Sequence, residues 1–510
     1  MRALVSTWDK SGLDEFARGL VSLGWRLVAS GKTAAALEAI GLPVEHVEDL
    51  TDSPEMLGGR VKTLHPRVHA GILARRDEDD DMATLAEQGI EPFDLVCVNL
   101  YPFEEVAARK GVSEAEAVEM IDIGGPSMLR GAAKNFAHCA PVCRADQYGP
   151  VLAELRRDGD LSAETRRRLA AEAFAHTAAY EAAIANWFGA RDTFPDSLVV
   201  SLEKVQNLAY GENPHQRAAY YAEHGVRRHL LSRVEQVHGK ELSFNNLNDL
   251  SGARALAREF ALPACVIVKH ANPCGVAIGA TIEEAYEKAL ASDPTSAYGG
   301  IVVLNREVEG LLGEKLAEQF VEVLFAPGYS NDALEALRRK KNTRILVDRE
   351  RRAGEPGERS YKRVLGGMLV QDSDADIDDR EGWQVVAGTV TEPQWGDLVF
   401  AWRVCKHVAS NAIVLARDLA TIGIGAGQMS RVDAVQIAVE KAAGFGHDVA
   451  GSALASDAFF PFPDGPRIAL DAGATAIVQP GGSKRDEEVT AAAEKAGAAM
   501  VFTGRRHFRH

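Results

Sequence analysis

The sequence predicts an α/β protein with a doubly wound N-terminal domain and a C-terminal region that repeats one α/β unit. The first expectation rests on residues 2–7 and 25–30, which have the composition of strands and lie on either side of a helical stretch. The second rests on a pattern that occurs twice: an apolar run ends on a Lys-His pair at 269–270, and a similar run ends on Lys-His at 406–407. Each copy is followed by a glycine-rich turn, which indicates an internal duplication.

The Lys-His pair at 269–270 marks the first candidate site. Residues 264–268 are apolar and largely β-branched, which is typical of a buried parallel strand. Lys269 and His270 would then lie at the carboxyl end of that strand, where open α/β sheets bind their ligands. For an isolated pair, a surface lysine beside a capping histidine is the alternative. The second copy, with Asn411 shortly after it, favours two ligand-binding turns that face one another.

Composition limits the classes of function. A chain of 510 residues should form two to four domains, and no apolar run or signal segment predicts a membrane or secreted protein. The formal charge of −16 argues against nucleic acid as a partner. The six cysteines lack CxxC pairs, which predicts buried thiols in a reducing compartment. For His138, Cys139 and Cys143 a metal cluster and simple strand packing both stay open, and strand packing is favoured.

The N-terminal part contains two polar segments that suit ligand binding. Residues 55–71 concentrate Arg60, Lys62 and Thr63 beside paired glycines, a composition that suits a phosphate-binding loop. A solvated basic loop would have the same composition. Downstream, a buried strand closes on Tyr101.

The segment 121–135 is predicted to begin a helix after Gly-Gly-Pro, with Ser127 as its cap. Its N-terminus offers an anion site, and Asp122 and Lys134 flank it. With the strand ends before it, this segment makes a polar pocket in the N-terminal part plausible.

The rest of the chain is divided by one long helical stretch at 161–188 and a turn-rich break at 189–197, where we place the domain boundary. Residues 312–325 and 331–340 are also predicted to be helical.

A series of motifs resembles one known family, the bacterial bifunctional purine-biosynthesis (PurH) family, which joins AICAR transformylase to IMP cyclohydrolase. The motifs YGENPHQ, KELSFNN, KHANPCG, DPTSAYGG, KHVASNAI, TIGIGAGQMSR, ASDAFFPF, QPGGS and RHFRH occur here in the family's order. EMLGGRVKTLHP, NLYPF and IDIGGPSMLRGAAKN resemble its cyclohydrolase half. The resemblance covers essentially the whole chain.

The resemblance implies a methylglyoxal-synthase-like domain at 1–145, a helical extension and linker at 146–198, and a transformylase region of two cytidine-deaminase-like units at 199–510. It implies the last two steps of de novo IMP synthesis: formyl transfer from 10-formyltetrahydrofolate to AICAR, giving FAICAR, and dehydrative ring closure of FAICAR to IMP. No metal is expected, because the zinc signature of deaminases is absent from the sequence. A cytoplasmic homodimer is implied, with the transformylase site at its interface.

For formyl transfer, the resemblance implies that His270 accepts the proton of the AICAR amine, that Lys269 is its cationic neighbour and the proton donor, and that Asn411 orients the formyl group. The residues implied to hold AICAR are Tyr210, His215, Asn245, Gly299, Arg431 and Arg509. The residues implied to contact the folate are Phe459, Pro461 and Asp464.

For ring closure, the resemblance implies that positioning supplies most of the catalysis, since both reacting groups belong to one molecule. The implied catalytic residues are Lys62, Tyr101, Asp122 and Lys134. The residues implied to bind the substrate, chiefly its 5′-phosphate, are Ser30, Gly31, Thr33, Arg60 and Thr63.

Three positions depart from the family pattern. Trp8 stands where a small residue is usual, Lys32 replaces the second glycine of the phosphate loop, and Ala209 replaces an arginine. Lys32 would either add a charge to phosphate binding or block the approach of the backbone. An N-terminal domain that binds nucleotides without turnover, and a non-enzymatic nucleotide sensor, are therefore the competing hypotheses.

Overall fold

The structure is a computed structural model that describes residues 1–53, 57–190, 192–224, 231, 234–349, 358–375 and 380–510. Glu55 and Met56 of the predicted phosphate loop and residue 191 of the predicted boundary lie outside the described residues. The chain forms two compact units. The first is Met1–Glu203 with a short stretch that begins at Ala222, and the second is Lys204–Tyr221 with the chain that runs on to His510.

The first unit alternates strands and helices. Its strands are β1 (Arg2–Ser6), β2 (Arg26–Ala29), β3 (Val44–His46), β4 (Leu95–Val98) and β5 (Ala140–Val142). Its helices are α1 (Leu13–Ser22), α2 (Gly31–Ala39), α3 (Val47–Thr51), α4 (Pro66–Leu73), α5 (Asp79–Glu87), α6 (Phe103–Ala107), α7 (Glu114–Glu119), α8 (Gly124–Lys134), α9 (Tyr148–Asp158) and α10 (Ala163–Gly189).

The strands of the first unit form a parallel sheet in the order β3-β2-β1-β4-β5. Along β1, Leu4 and Val5 belong to different hydrophobic clusters, so the strand is buried on both faces. The predicted doubly wound fold is confirmed. The strand order reverses between β1 and β4, and such a switch point opens a crevice at the carboxyl ends of the strands.

The remaining chain carries two sheets of two strands and one large sheet. Its strands are β6 (Leu202–Leu208), β7 (Ala218–Glu223), β8 (Glu235–His238), β9 (Ala264–Lys269), β10 (Asn272–Ile278), β11 (Gly300–Leu304), β12 (Val321–Ala326), β13 (Arg344–Val347), β14 (Arg359–Val364), β15 (Gly367–Asp372), β16 (Gln384–Ala387), β17 (Ile413–Arg417), β18 (Ala420–Gly425), β19 (Ala453–Ser456), β20 (Ala476–Gln479) and β21 (Ala499–Phe502). Its helices are α11 (Phe244–Ala257), α12 (Ile282–Ser292), α13 (Pro294–Ala297), α14 (Gly310–Glu318), α15 (Asn331–Arg338), α16 (Glu392–Cys405), α17 (Arg431–Gly444), α18 (Asp464–Asp471) and α19 (Asp486–Lys495).

The large sheet shows that the second unit is duplicated. From its centre outward, one side runs β10-β9-β11-β12-β13-β8 and the other runs β18-β17-β19-β20-β21-β16. Both halves follow the same chain order of strand, helix, β-hairpin, helix, strand, helix, strand, helix and strand, and the first half adds only the short helix α13 before β11. The predicted duplication is therefore confirmed.

The Lys-His pairs that suggested the duplication are not equivalent. Lys269 is the last residue of β9 and His270 follows it, whereas Lys406 follows the helix α16. Because β17 is the counterpart of β9, the residues that correspond to Lys269-His270 are Arg417 and Asp418.

Two strand predictions also need correction. β9 is antiparallel to both of its neighbours, β10 and β11, although a parallel strand was expected. Its continuous apolar sequence reflects burial on both faces, since Val266 and Ile267 belong to different clusters. The helix predicted over 312–325 ends at Glu318, and the strand β12 follows it.

Equivalent glycines let one helix lie close to the central strands in each half. A Cβ atom on Gly275 would lie 2.0 Å from the carbonyl oxygen of Ala289 in α12. In the other half, a Cβ on Gly423 would lie 2.1 Å from the carbonyl oxygen of Ala438 in α17. Any larger side chain at these positions would push the helix away from the sheet.

We therefore expect Gly275→Ala and Gly423→Ala each to lower the free energy of unfolding by roughly 1–3 kcal/mol through overpacking. Urea denaturation measures the change. Gly444→Ala is the matched control, because Gly444 ends α17 in open space, and it should leave stability nearly unchanged. Equal midpoints for Gly275→Ala and Gly444→Ala would contradict the close approach.

Candidate active sites

The Lys-His pair of the second unit lies in a tight turn. His270 and Ala271 connect β9 to β10 with φ of 51° and 61°, the two left-handed residues that a two-residue hairpin turn needs. Non-glycine residues rarely adopt this conformation. The Ala271 N–H donates to Oδ1 of Asp249 in α11, at 2.8 Å, and this bond supports the turn.

The other half repeats this turn with different side chains. Asp418 and Leu419 connect β17 to β18 with φ of 54° and 57°. The Leu419 N–H donates to Oδ1 of Asp397 at 2.8 Å, and Asp397 occupies in α16 the position that Asp249 occupies in α11. The left-handed turn and the aspartate that supports it occur in both halves, but a lysine and a histidine occur only in the first copy of the turn.

Lys269 is oriented by two backbone carbonyls. Its Nζ donates to the carbonyl oxygens of Tyr298 and Gly299, each at 2.9 Å. Gly299 has φ of 70°, and a Cβ there would lie 2.9 Å from the Phe320 ring and 3.1 Å from the lysine Nζ. Glycine is thus required beside the ammonium group.

Lys269 and His270 open into a cavity of about 260 Å³ that both halves of the unit line. The first half contributes Cys274 and Asp293, and the second half contributes Gln428 and Lys441. Lys441 Nζ lies 2.6 Å from Asp293 Oδ2. Burial opposes ionisation of Asp293, but the hydrogen bonds from Lys441 and Ser296 and the charge of Lys441 together outweigh it and lower the pKa of the carboxyl group.

Asn411 is hydrogen-bonded to Gln428, which lines this cavity. Its Nδ2 donates to the carbonyl oxygens of Gln428 at 2.8 Å and Met429 at 3.2 Å, and its Oδ1 accepts from Arg431 Nη2 at 2.6 Å. The buried Arg431 also forms an ion pair with the fully buried Asp457. This network fixes the orientation of the Asn411 amide.

Arg509 is held near the same network. Its backbone N–H donates to Ser410 Oγ at 3.2 Å, and its guanidinium donates to the carbonyl oxygen of His407. Burial lowers the pKa of Arg509. His407 is itself partly buried and lies 3.0 Å from Glu259 Oε1, which agrees with a structural role for this histidine.

The predicted AICAR-binding residues of the YGENPHQ loop lie beside α11. The Tyr210 carbonyl accepts from the Phe244 N–H at 3.2 Å, and Asn245 Nδ2 donates to the Glu212 carbonyl at 3.1 Å. Asn245 precedes Asp249 by four residues on α11, so both face the same side of the helix. His215 is exposed in the loop.

The predicted folate segment follows β19. Phe459 and Pro461 are exposed, while Phe460 between them is buried and its N–H donates to Gln479 Oε1 at 2.9 Å. Asp464 is the first residue of α18. The segment starts two residues after Asp457, so the Arg431 network anchors its beginning.

In the first unit, Asp122 and Tyr101 lie beside the start of α8. The Asp122 Oδ1 accepts the Gly125 N–H at 2.8 Å, so Asp122, and not Ser127 as predicted, satisfies the first turn of the helix. Burial raises the pKa of Asp122 despite this bond. Burial and then the negative charge of Asp122 raise the pKa of Tyr101, while Lys62 opposes them, so the three groups interact.

The predicted phosphate residues surround the start of α2. Ser30 precedes the helix, and Gly31 has φ of 48°. Lys62 Nζ lies against Gly31 and 3.3 Å from Glu48 Oε1. Thr33 exchanges two hydrogen bonds with the backbone of Thr7 and thereby ties the helix to the end of β1.

Three other predicted site residues of the first unit differ from one another in burial and in distance from the start of α8. Thr63 is buried with its Oγ1 near Gly124, whereas Arg60 is exposed and paired with Glu119. Lys134 is exposed in the last turn of α8, ten residues from Gly124. That separation is about 15 Å along the helix, so Lys134 is not brought together with Asp122.

Sequence reasoning missed one contributor to this site. The Tyr180 hydroxyl, from α10, accepts the Asp122 N–H at 2.8 Å and donates to the Met120 carbonyl at 3.0 Å. The surrounding alanine-rich helical sequence contains no signal for this role.

Among the described residues, no three His, Cys, Asp or Glu side chains are grouped so as to hold a metal ion. His138 lies 3.0 Å from Asp77, and Cys139 and Cys143 are buried. Within the described part of the chain, no helix is long and apolar enough to cross a membrane.

Comparisons with known proteins match both units. The family model described as AICARFT/IMPCHase bienzyme matches residues 132–441, and the model described as an MGS-like domain matches 12–127. Curated relatives named bifunctional purine biosynthesis protein PurH include those of Cyanothece sp., Acidithiobacillus ferrooxidans and Bacillus cereus. They are 51%, 50% and 48% identical over 516, 519 and 512 residues, and each alignment covers 100% of this chain and 99% of the relative.

Proposed function

Because this chain belongs to the AICARFT/IMPCHase bienzyme family, we propose that its two reactions occur at two separate sites, formyl transfer in the second unit and ring closure in the first. The enzyme catalyses the last two steps of IMP synthesis, in which AICAR is formylated to FAICAR and FAICAR closes to IMP. A formyl-folate is the cosubstrate, and we propose that it is 10-formyltetrahydrofolate. The observation that carries the assignment is the Lys269-His270 turn at the cavity shared by both halves.

Formyl transfer begins with attack of the AICAR 5-amino group on the formyl carbon. This amine is a poor nucleophile, because its lone pair is delocalised into the imidazole and carboxamide, so a base is needed. We assign His270 to accept the amine proton and to return a proton to the departing folate nitrogen. Lys269 has three N–H donors, and the Tyr298 and Gly299 carbonyls engage two. The third can stabilise the oxyanion of the tetrahedral intermediate.

We assign Asn411 to orient the formyl group. The bond from Arg431 fixes its amide oxygen. The longer of its two donor contacts, 3.2 Å to the Met429 carbonyl, is the one that a formyl oxygen would replace. Tyr210, His215, Asn245, Gly299, Arg431 and Arg509 are proposed to hold AICAR, and Phe459, Pro461 and Asp464 the folate.

Ring closure joins the carboxamide nitrogen of FAICAR to its formyl carbon and releases water. We assign Asp122 to accept the proton of the carboxamide nitrogen, and Tyr101 with Lys62 to stabilise the developing oxyanion. The raised pKa of Asp122 makes its carboxylate a stronger base than an ordinary aspartate. Lys134 is proposed from the family pattern alone, and Ser30, Gly31, Thr33, Arg60 and Thr63 are proposed to bind the substrate. Neither step is proposed to use a metal, because the sequence lacks a zinc signature.

The first test is an assay with AICAR and 10-formyltetrahydrofolate that follows tetrahydrofolate, FAICAR and IMP by chromatography. The wild-type chain should form IMP in step with tetrahydrofolate. His270→Ala should lower formyl transfer by about 10²–10⁴-fold and leave closure of supplied FAICAR unchanged. Asp122→Asn should do the reverse, and FAICAR should accumulate.

The same assay includes the contrary outcomes. Equal loss of both steps in either variant would contradict the two-site assignment, and FAICAR without IMP from the wild-type chain would indicate an N-terminal unit that only binds nucleotides.

The assignment of Asp122 also predicts how ring closure depends on pH. Asp122 acts as a base only when ionised, and its pKa is raised. The rate of closure should therefore rise with pH through a range above the ordinary aspartate pKa of about 4.

The duplicated turn offers a matched pair of variants. Asp249→Ala removes the acceptor of the Ala271 N–H, and Asp397→Ala removes the acceptor of the Asp418 and Leu419 N–H groups. Each variant should lower stability by about 1–3 kcal/mol. Only Asp249 supports the turn that carries His270, so only its loss should lower the kcat of formyl transfer, by about 10²-fold through misplacement. Asp249→Asn keeps an acceptor oxygen and should restore the rate. Similar kcat values for the two alanine variants would contradict this positioning role.

We propose that the enzyme is a cytoplasmic homodimer with its transformylase site at the interface. The support is the ribbon of β14 and β15, which has no third strand among the described residues and exposes Leu365, Met368 and Leu369. An isolated two-stranded ribbon is marginally stable in water, so a second copy is the expected partner. Sedimentation equilibrium should give twice the chain mass of 54.9 kDa, and a monomer at micromolar concentration would contradict the proposal.

A further inference from the structure

Positive charge gathers at the N-terminus of α2 in the first unit. Lys32 is the second residue of this helix, and no acidic residue lies in the first turn. An ammonium group is unfavourable there, because the helix dipole places partial positive charge at the same end. Lys62 also reaches this point, where it lies against Gly31 and is partly balanced by Glu48.

A third lysine, Lys10, adds positive charge near Lys32. Burial and then the charge of Lys32 lower the pKa of Lys10, while Asp9 opposes them weakly. The ammonium groups of Lys10 and Lys32 are therefore close enough to repel each other in the unliganded protein. An anion bound at the start of α2 would relieve both this repulsion and the unfavourable interaction with the helix dipole.

Trp8 holds a fixed place beside these lysines. Its ring centroid lies 5.1 Å from that of Tyr101, and Lys32 Nζ lies 6.0 Å from the Trp8 ring centroid. The backbone N–H of Trp8 donates to Asn99 Oδ1, and Lys10 Nζ donates to the backbone carbonyl of Trp8. The indole ring of Trp8 thus contacts Tyr101, which is assigned to stabilise the oxyanion, and attracts the exposed Lys32 by a cation–π interaction.

We propose that Trp8 and Lys32 form a substrate-positioning pair, in which Lys32 binds the 5′-phosphate of FAICAR and IMP and Trp8 holds the Lys32 ammonium group over the start of α2. This inference rests on the proposed ring closure in the first unit. Trp8 acts through Lys32, so it is a positioning residue. Two of the three positions at which the chain departs from the family pattern then have one joint role in place of two separate defects.

The test is IMP binding to the full chain by calorimetry, together with the kinetics of FAICAR closure. Lys32→Gln removes the charge and keeps a good helix former, and it should weaken IMP binding by about tenfold, the loss of one charge-assisted contact. KM for FAICAR should rise with kcat nearly unchanged, as for a contact made equally in the ground and transition states. Lys110→Gln, which removes an exposed lysine from a turn of the same unit, is the charge-matched control and should have no effect.

A double-mutant cycle separates positioning from a general structural effect. Trp8→Ser should weaken IMP binding in the wild-type background and have little further effect in Lys32→Gln, because the two residues act together. Trp8→Phe keeps an aromatic face and should restore most of the affinity.

Unchanged IMP binding in Lys32→Gln, or an equal effect of Trp8→Ser in both backgrounds, would overturn the inference. These results differ from a failure of the proposed function, which would appear as a wild-type chain that does not close FAICAR. If Lys32→Gln is less stable, Lys32→Ala, which removes the charge and keeps the best helix former, provides the same comparison.

Discussion

The two halves of the second unit depend on the junction between β10 and β18 at the centre of the sheet. The buried Thr421 hydroxyl accepts the Val276 N–H at 2.9 Å and lies 2.9 Å from Ser292 Oγ. Without the Thr421 hydroxyl, the buried N–H of Val276 would lose its hydrogen-bond acceptor at this junction. The cavity lies beside it, lined by Cys274 from one half and Gly423 from the other. The proposed substrate pocket therefore needs residues of both halves, although Lys269 and His270 belong to one of them.

Duplication also explains how a strained turn came to carry reactive groups. The two hairpin turns have the same left-handed backbone, and an aspartate on the preceding helix supports each. The scaffold is therefore independent of the side chains at the turn. Asp418 and Leu419 occupy one copy, and His270 occupies the other at the edge of the cavity. The φ values of the two turns agree within a few degrees, so the proposed catalytic side chains need no backbone conformation that the other copy lacks.

In the first unit, the site depends on elements beyond the doubly wound sheet. Asp122 satisfies the start of α8 and is also the proposed base, so one carboxylate serves both the helix and the chemistry. Its backbone N–H is held by Tyr180, which belongs to the long helix α10. That helix therefore supports the active site of the first unit as well as continuing the chain toward the second.

The sequence by itself determined the family, the doubly wound fold and the position of Lys269 and His270 at the end of a buried strand, because these depend on local motifs and strand-forming runs. It also predicted the duplication, but from two Lys-His pairs that are not equivalent. Only the tertiary structure decided the direction of β9, since an apolar run reports burial on both faces but not the partner's orientation. It likewise decided that 406–407 is not the counterpart of 269–270 and that Lys134 lies about 15 Å along α8 from Gly124. Distance in space and equivalence between halves follow from strand pairing and helix geometry, which a linear pattern of residues does not specify.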